Sequence, residues 1–231
     1  MESRDIGLGK KTLVSFDLDG TLTDISFVDS VWLDAIPREY AAKNGLAFEE
    51  ARNIVTKEYG EIGRERLEWY DLGYWIQKFK LDICPRDVLI SLQHKIRVFP
   101  EVPEVLDGLK RANLRLVIVT NARREFADLE LERTRISPYF DGVFSSTSDF
   151  RLIKKTPKLF RKICDLCNVD PEEVVHVGDE ELFDYKVPSK IGITAFFLDR
   201  TRKHSGTFVI HSLKELNRKL QDESDASMSD G

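Results

Sequence analysis

Two hydrophobic rhythms alternate along the chain. Short, continuous apolar runs rich in β-branched residues occur at 12–18, 114–120, 142–145, 174–177 and 193–199. Such runs, apolar on both faces and bounded by polar residues, predict strands buried inside a parallel sheet. From Phe99-Pro100 onward they are separated by segments whose apolar residues follow helical spacing, predicted as helices at 102–112, 124–134 and 156–168. Regular alternation of strands and helices predicts an α/β fold, a parallel sheet with helices on both faces.

The stretch after the first strand breaks this rhythm. Residues 25–96 show helical spacing only, in Phe27-Val28-Val31-Trp32-Ala35-Ile36, in Phe48-Ala51-Ile54-Val55 and in Leu67-Tyr70-Tyr74-Trp75-Phe79. A further helix opens at Pro85 and carries Val88, Leu89, Leu92 and Ile96. That many helices exceed one crossover connection, so they are expected to form their own bundle. Trp32, Trp69, Tyr70, Tyr74 and Trp75 read as bundle core at this spacing, with a pocket lining as the second reading.

Candidate chemistry sits where the strands end. Leu13-Val14-Ser15-Phe16-Asp17-Leu18-Asp19-Gly20-Thr21 puts Asp17 and Asp19 on one side of an extended chain. Like charges so placed repel and raise each other's pKa unless a cation lies between them. Mg2+ answers that need, because it takes oxygen ligands and is commonly shared with a phosphate. The second run ends in Thr120-Asn121, whose hydroxyl and backbone N–H could bind phosphoryl oxygens, since ligands of open α/β sheets sit beyond the strand carboxyl ends. The fourth, Val174-Val175-His176-Val177-Gly178-Asp179, is followed by Asp184, and His176 reads as a packed core residue.

Taken together, Asp17-Leu18-Asp19-Gly20-Thr21, Thr120, the segment Lys154-Lys155-Thr156-Pro157-Lys158-Leu159-Phe160, and Gly178-Asp179 with Asp184 resemble the four ordered motifs of the haloacid dehalogenase-like (HAD) hydrolases. Most of these are Mg-dependent phosphohydrolases. The resemblance spans roughly residues 12 to 200 and implies a Rossmann-like core with an inserted α-helical cap, as in the C1-capped, phosphoglycolate phosphatase-like branch. The implied layout is a catalytic core at 1–24 and 97–215, a cap at 25–96, and an acidic disordered tail at 216–231. Val187-Pro188 and Ile191-Gly192 stand where many relatives carry small residues, so the helix after the last motif is expected to pack differently.

The same resemblance implies roles. Asp17 is the nucleophile that forms an aspartyl-phosphate, and Asp19 is general acid and then general base, its carbonyl also on Mg2+. Thr120, the Asn121 N–H, Gly20 and a lysine hold the phosphoryl group, while Asp17, Asp19, Asp179 and Asp184 form the metal set, Asp184 in its outer shell. Registering on Pro157 and Phe160 selects Lys154 as the lysine, and Lys155, standing where many relatives have proline, leaves the choice between the two open. Four aspartates outweigh one lysine and one Mg2+, so metal-free protein is expected to bind phosphate poorly. The helical insertion would act as a lid that excludes water.

The implied activity is hydrolysis of a small phosphorylated metabolite, with a phosphoglycolate-like or sugar-phosphate substrate as the default. Asp19 argues against carbon–halogen cleavage, which needs no acid at that place. A phosphomutase of the beta-phosphoglucomutase type shares all four motifs and is the main alternative, and a catalytically silent binding protein is the other. Arg123 and Arg124 follow the second motif and either reach a second anionic group or stay solvated.

Composition narrows the class without changing it. At 231 residues and 42% hydrophobic, the chain can build one large core and one smaller domain. The formal charge of −5 lies mostly in residues 221–231, with Asp222, Glu223, Asp225, Asp230 and no basic residue, so no nucleic-acid surface is expected. No membrane span or signal peptide is legible, which predicts a cytoplasmic protein. Cys84, Cys164 and Cys167 suit a reducing compartment, and Cys164 and Cys167 fall within one helix without a second pair for zinc.

Overall fold

The computed structural model describes residues 11–220. Six parallel strands form one sheet in the order β3-β2-β1-β4-β5-β6: β1 Leu13–Phe16, β2 Arg115–Thr120, β3 Gly142–Ser145, β4 Val174–Gly178, β5 Thr194–Leu198 and β6 Val209–Ile210. The α/β parallel sheet expected from the alternation, and the Rossmann-like core implied by the resemblance, are observed. The two central pairings align Phe16 with both Ile118 and Val177, which brings the carboxyl ends of β1, β2 and β4 to one edge. β1 stops before the expected 18, yet Asp17 N–H still donates to Val177 O at 2.9 Å, so Asp17 is held as the last residue of the ladder.

Strand alternation divides the core. Val14, Phe16, Leu116, Ile118, Val175 and Val177 face one layer, with helices α6 (Val102–Arg111) and α7 (Arg124–Thr134). Leu13, Val117, Val119 and Val174 face the other, against α9 (Pro157–Cys167), whose apolar stripe Leu159, Phe160, Ile163, Cys164 and Cys167 is buried. Cys164 and Cys167 are free thiols in that packing. His176 is fully buried as expected, its ring edge-on to Phe160 at 4.9 Å.

Between β1 and β2 the chain makes helices α1 (Ser26–Ser30), α2 (Ile36–Asn44), α3 (Phe48–Ile62), α4 (Leu72–Lys78) and α5 (Pro85–Leu92). A π-helical turn, Val31–Ala35, joins the first two. The expected helix through Leu67 and Phe79 is divided, because Asp71 leaves the helical conformation and caps α4 by accepting from Tyr74 N–H at 3.0 Å. These helices bury a cluster of their own, Phe27, Val31, Ile36, Val55, Tyr59, Leu72 and Trp75, joined by Phe126 of α7. Two chain crossings connect it to the sheet, and they are tied together where Asp24 N–H donates to Arg97 O at 2.9 Å and Thr23 bridges Val98.

Three local features differ from expectation. β6 is two residues long, too short to give a pattern, and α8 (Ser146–Asp149) is likewise one turn. The helix after the last motif is reduced to a π-helical turn, Glu181–Lys186, and α10 (Val187–Ser189), with Val187 and Ile191 packed into the second core layer. The tail boundary expected at 216 is corrected: residues 213–220 are helical, and Leu213 and Leu216 are fully buried against the first layer. The remainder of the expected acidic tail, 221–231, lies outside the described residues. No helix among the described residues is long and apolar enough to cross a membrane.

Burial of this last helix sets a measurable cost. Leu213→Ala is expected to lower unfolding free energy by about 2–5 kcal/mol, as removal of a fully buried leucine does. Urea denaturation reads this directly, and a change within about 0.5 kcal/mol would mean that the helix does not close the core.

Candidate active site

At the carboxyl edge of the sheet, side-chain oxygens of Asp17, Asp179 and Asp184 lie within 4.8 Å of one another. Each arrives by a different local device. Asp17 ends the central strand. Asp179 follows β4, and the turn after β1 makes room for it: Gly20 has φ +78°, and a Cβ there would stand 2.3 Å from an Asp179 oxygen. Asp184 comes back under the edge on the π-helical turn, tightly enough that a Cβ on Gly178 would stand 2.3 Å from its carboxyl carbon. Inserted π turns often re-aim functional side chains in this way.

Three carboxylates this close need positive charge. Lys155 supplies it, fully enclosed, with Nζ 2.8 Å from Asp17 Oδ1 and 2.5 Å from Asp184 Oδ1. The lysine selected from sequence was its neighbour, and the geometry corrects that choice. Thr156 caps α9 by accepting from Leu159 N–H at 3.2 Å, with Pro157 as the first helical residue. Lys155 precedes the cap and points to the strand ends. Lys154 points the other way, to Glu65 of the helical insertion at 2.8 Å. Proline spacing could not tell these two directions apart.

Electrostatics follows from burial. Burial pushes the Asp17 carboxyl well above the usual range, with Asp184 and Asp179 adding to the rise and Lys155 opposing it. Asp179 is pushed up to about 6 by burial and by Asp184. Asp184 behaves oppositely: burial raises it, but Lys155 and the hydrogen bond to His176 Nε2 at 3.2 Å more than reverse this, to about 2. Glu180 N–H also donates to it at 3.0 Å. Asp184 is thus saturated by protein partners, and Asp17 and Asp179 are the two carboxylates left to face a ligand. An oxygen-only set of this kind fits a hard divalent cation.

Asp19 stands apart from this trio and is not among the three clustered carboxylates, so of the four aspartates expected to bind metal its side chain is the one placed elsewhere. Its neighbour is Glu130, which the sequence reading missed. Glu130 is fully buried and accepts from Thr23 Oγ1 at 2.7 Å, and both it and Asp19 keep a buried carboxylate oxygen without a hydrogen-bond partner among the described residues. A proton on one of the two carboxyls lets them share a hydrogen bond. Burial and the Asp19 charge push Glu130 well above the usual range, while burial, partly offset by that hydrogen bond, brings Asp19 to about 6. A signal existed: Glu130 lies on the face of α7 that also buries Phe126, Ala127 and Leu131, where a lone acid is out of place.

The expected phosphoryl-binding residues divide. Thr120 is buried at the end of β2, its Oγ1 accepting from Ala122 N–H at 3.0 Å, which leaves its own proton to donate. Asn121 turns its side chain away to accept from Ser146 Oγ at 2.6 Å, so only its main chain is offered. Thr120, Asn121 and Lys154 line the cavity above Asp17, whereas Gly20 lies behind it as part of the turn. Arg123 and Arg124 are engaged by Asp71 and Asp149, each at 2.8 Å. Of the five aromatic residues read as core, Trp75 is fully buried and Tyr74 packs beside it, but Trp32, Trp69 and Tyr70 line the cavity.

The family model for haloacid dehalogenase-like hydrolases matches residues 11–191. The chain is 27% identical over 168 residues to GMP/IMP nucleotidase YrfG of Escherichia coli, covering 73% of this chain and 74% of that protein. It is 28% identical over 218 residues to glyceraldehyde 3-phosphate phosphatase of Methanocaldococcus jannaschii, covering 88% and 94%. Among solved structures, a HAD phosphatase from Thermococcus onnurineus superposes with a TM-score of 0.80 at 28% identity, over 90% of this chain and 97% of that one.

The two lysines should separate cleanly on mutation. Lys155→Ala leaves two buried aspartates without their counter-charge and is expected to cost about 3–5 kcal/mol. Lys154→Ala removes a partly exposed pair and is expected to cost under about 1 kcal/mol. Equal losses in chemical denaturation would refute the assignment of Lys155 as the enclosed cation.

Proposed function

Because the chain belongs to the haloacid dehalogenase-like hydrolases, we propose that it is a Mg2+-dependent phosphomonoesterase working through an aspartyl-phosphate on Asp17. The observation that carries this reading is the convergence of Asp17, Asp179 and Asp184 within 4.8 Å beside the enclosed ammonium of Lys155. Asp17 and Asp179 would hold the ion, with Asp184 keeping Lys155 in place. Bound there, Mg2+ supplies charge neutralisation for phosphoryl oxygens beside acidic side chains.

The chain's own residues perform the transfer. Asp17 attacks phosphorus, the bond to the leaving alcohol breaks, and Asp19 delivers its proton to the departing oxygen. With an Asp19 carboxyl brought to about 6, protonated and ionised forms are both accessible near neutral pH, which suits a group that must give a proton and then take one from water. Glu130, unable to ionise easily where it is buried, steadies the Asp19 carboxyl rather than competing for the proton. Lys155, the Thr120 hydroxyl and main-chain N–H groups at the strand ends meet the charge on the transferring oxygens. The bundle over 25–96 acts as the cap, walling the nucleophile from bulk water.

Phosphate release from p-nitrophenyl phosphate with Mg2+, abolished by EDTA and by Asp17→Asn, is the expected outcome. Asp19→Asn should retain the fold and lose about 10²–10⁴ in kcat. Turnover that survives Asp17→Asn defeats the mechanism, and sugar-phosphate isomerisation without release would favour a mutase.

Metal affinity should depend on pH in a definite direction. With Asp179 at about 6 in the metal-free protein, a proton must leave before it ligates, so Mg2+ binding weakens as the pH falls below about 6. Calorimetric titration measures this, and affinity constant from pH 5 to 8 would remove Asp179 from the ligand set.

A further inference from the structure

The space above Asp17 is much larger than a phosphoryl group requires. It encloses about 490 Å³, within the range of about 300–1,000 Å³ occupied by drug-sized ligands. A triose phosphate or phosphoglycolate would leave most of it filled with water, beside a nucleophile that works by excluding water.

Its upper wall is aromatic. Trp32, Trp69 and Tyr70 of the helical insertion line it, all only part-buried. Ring contacts brace them: Trp32 stacks on Phe126, which also lines the cavity, at 5.8 Å with 14° between planes, and Trp69 meets Tyr70 edge-on at 4.9 Å. The Trp75 indole N–H donates to Trp69 O at 3.2 Å, securing the main chain of the turn. Half-exposed rings braced in this way offer a stacking platform to a flat heteroaromatic partner.

Charge argues in the same direction. Arg123 and Lys154 reach the cavity but are committed to Asp71 and Glu65, each at 2.8 Å. Arg64 lies over the Trp69 ring at 5.2 Å, and Asp29 and Glu180 make the remaining rim acidic. A second carboxylate or phosphate on the substrate would find Arg64 as a cation without an ion pair among the described residues but also the acidic Asp29 and Glu180, whereas a neutral planar group would find rings with donors and acceptors at their edges.

We infer that the substrate is a nucleoside 5′-monophosphate, its phosphate over Asp17 and its base against the wall of Trp32, Trp69 and Tyr70. This rests on the phosphomonoesterase reading above and replaces the phosphoglycolate-like or sugar-phosphate default expected from sequence.

Ribose 5-phosphate is the deciding comparison, because it carries the same ester and sugar without the base. With Mg2+, the best of GMP, IMP, AMP and CMP is expected to exceed ribose 5-phosphate in kcat/KM by about tenfold or more, the scale of one base stacked on an aromatic side chain. Trp69→Ala should bring that ratio toward one, chiefly through KM, and Trp69→Phe should keep most of it. Reading a ratio within each variant separates recognition from any loss of folded protein. Equal kcat/KM for nucleotide and ribose 5-phosphate, a preference for phosphoglycolate, or a ratio untouched by Trp69→Ala would each overturn the inference while leaving the hydrolase intact. Absence of phosphate release from every ester, p-nitrophenyl phosphate included, would instead remove the reading on which it rests.

Discussion

A single ammonium group, Lys155 Nζ, holds the catalytic edge of the sheet together. It is enclosed between Asp17 at 2.8 Å and Asp184 at 2.5 Å, with the lysine almost wholly buried. A charge removed from water in this way costs several kcal/mol unless it is paired and hydrogen-bonded. The fold meets that condition from three directions: the end of the central strand, the turn after its neighbour, and the residue before the cap of α9. Burial would lower the lysine's pKa, but its two aspartates raise it above the ordinary value, so the ammonium form is secured.

That ion triad leaves a deliberate imbalance. Asp184 is satisfied by Lys155, His176 and the Glu180 amide, and His176 is itself bonded through Nδ1 to Ser15 at 2.5 Å, so the arrangement is braced across β1 and β4. Burial holds His176 below its usual pKa, which keeps the imidazole neutral and its tautomer set by these neighbours. Asp179 accepts a long hydrogen bond from Thr21 Oγ1 at 3.4 Å, and burial pushes it up to about 6. Unequal treatment of carboxylates a few ångströms apart is how one site can contain a structural acid, a nucleophile and a ligand. The Asp19–Glu130 pair repeats the principle, with the more deeply buried Glu130 held further above its usual range than the half-buried Asp19.

How far this was legible in the sequence depends on whether the signal is local. Strand ends are local: Asp17, Thr120 and Asp179 each close an apolar run, and the parallel register necessarily gathers them. Helix α7 spans Arg124–Thr134 and β3 spans Gly142–Ser145, as their patterns indicate. Direction within a single turn is not local. Lys154 and Lys155 have the same chemistry in adjacent places, and only the path of the chain into the Thr156 cap decides which one enters the core. Glu130 was missed for a related reason, since its partner Asp19 is more than a hundred residues away. The docking of helical residues 213–220 was hidden by an acidic stretch beginning just beyond it, which drew the boundary at 216 although Leu213 and Leu216 carry a helical core pattern.

The same distinction separates chemistry from specificity in this fold. The clustered aspartates and Lys155 sit at the sheet edge, while the aromatic wall of the cavity belongs to an insertion with its own hydrophobic cluster. Phe126 of α7 joins wall to floor by packing into that cluster and stacking on Trp32, with Ala122 and Leu129 packed against the same cluster. The ion pairs Arg123–Asp71 and Lys154–Glu65 also cross the gap, but being partly exposed they are worth about 1 kcal/mol or less each. Position of the wall is therefore set by aromatic packing and by the laced chain crossings at Thr23–Asp24 and Arg97–Val98, with the ion pairs refining it. An insertion attached in this manner can change its lining residues without disturbing Lys155 and its aspartates, so the same phosphoryl-transfer edge can serve leaving groups of different shape.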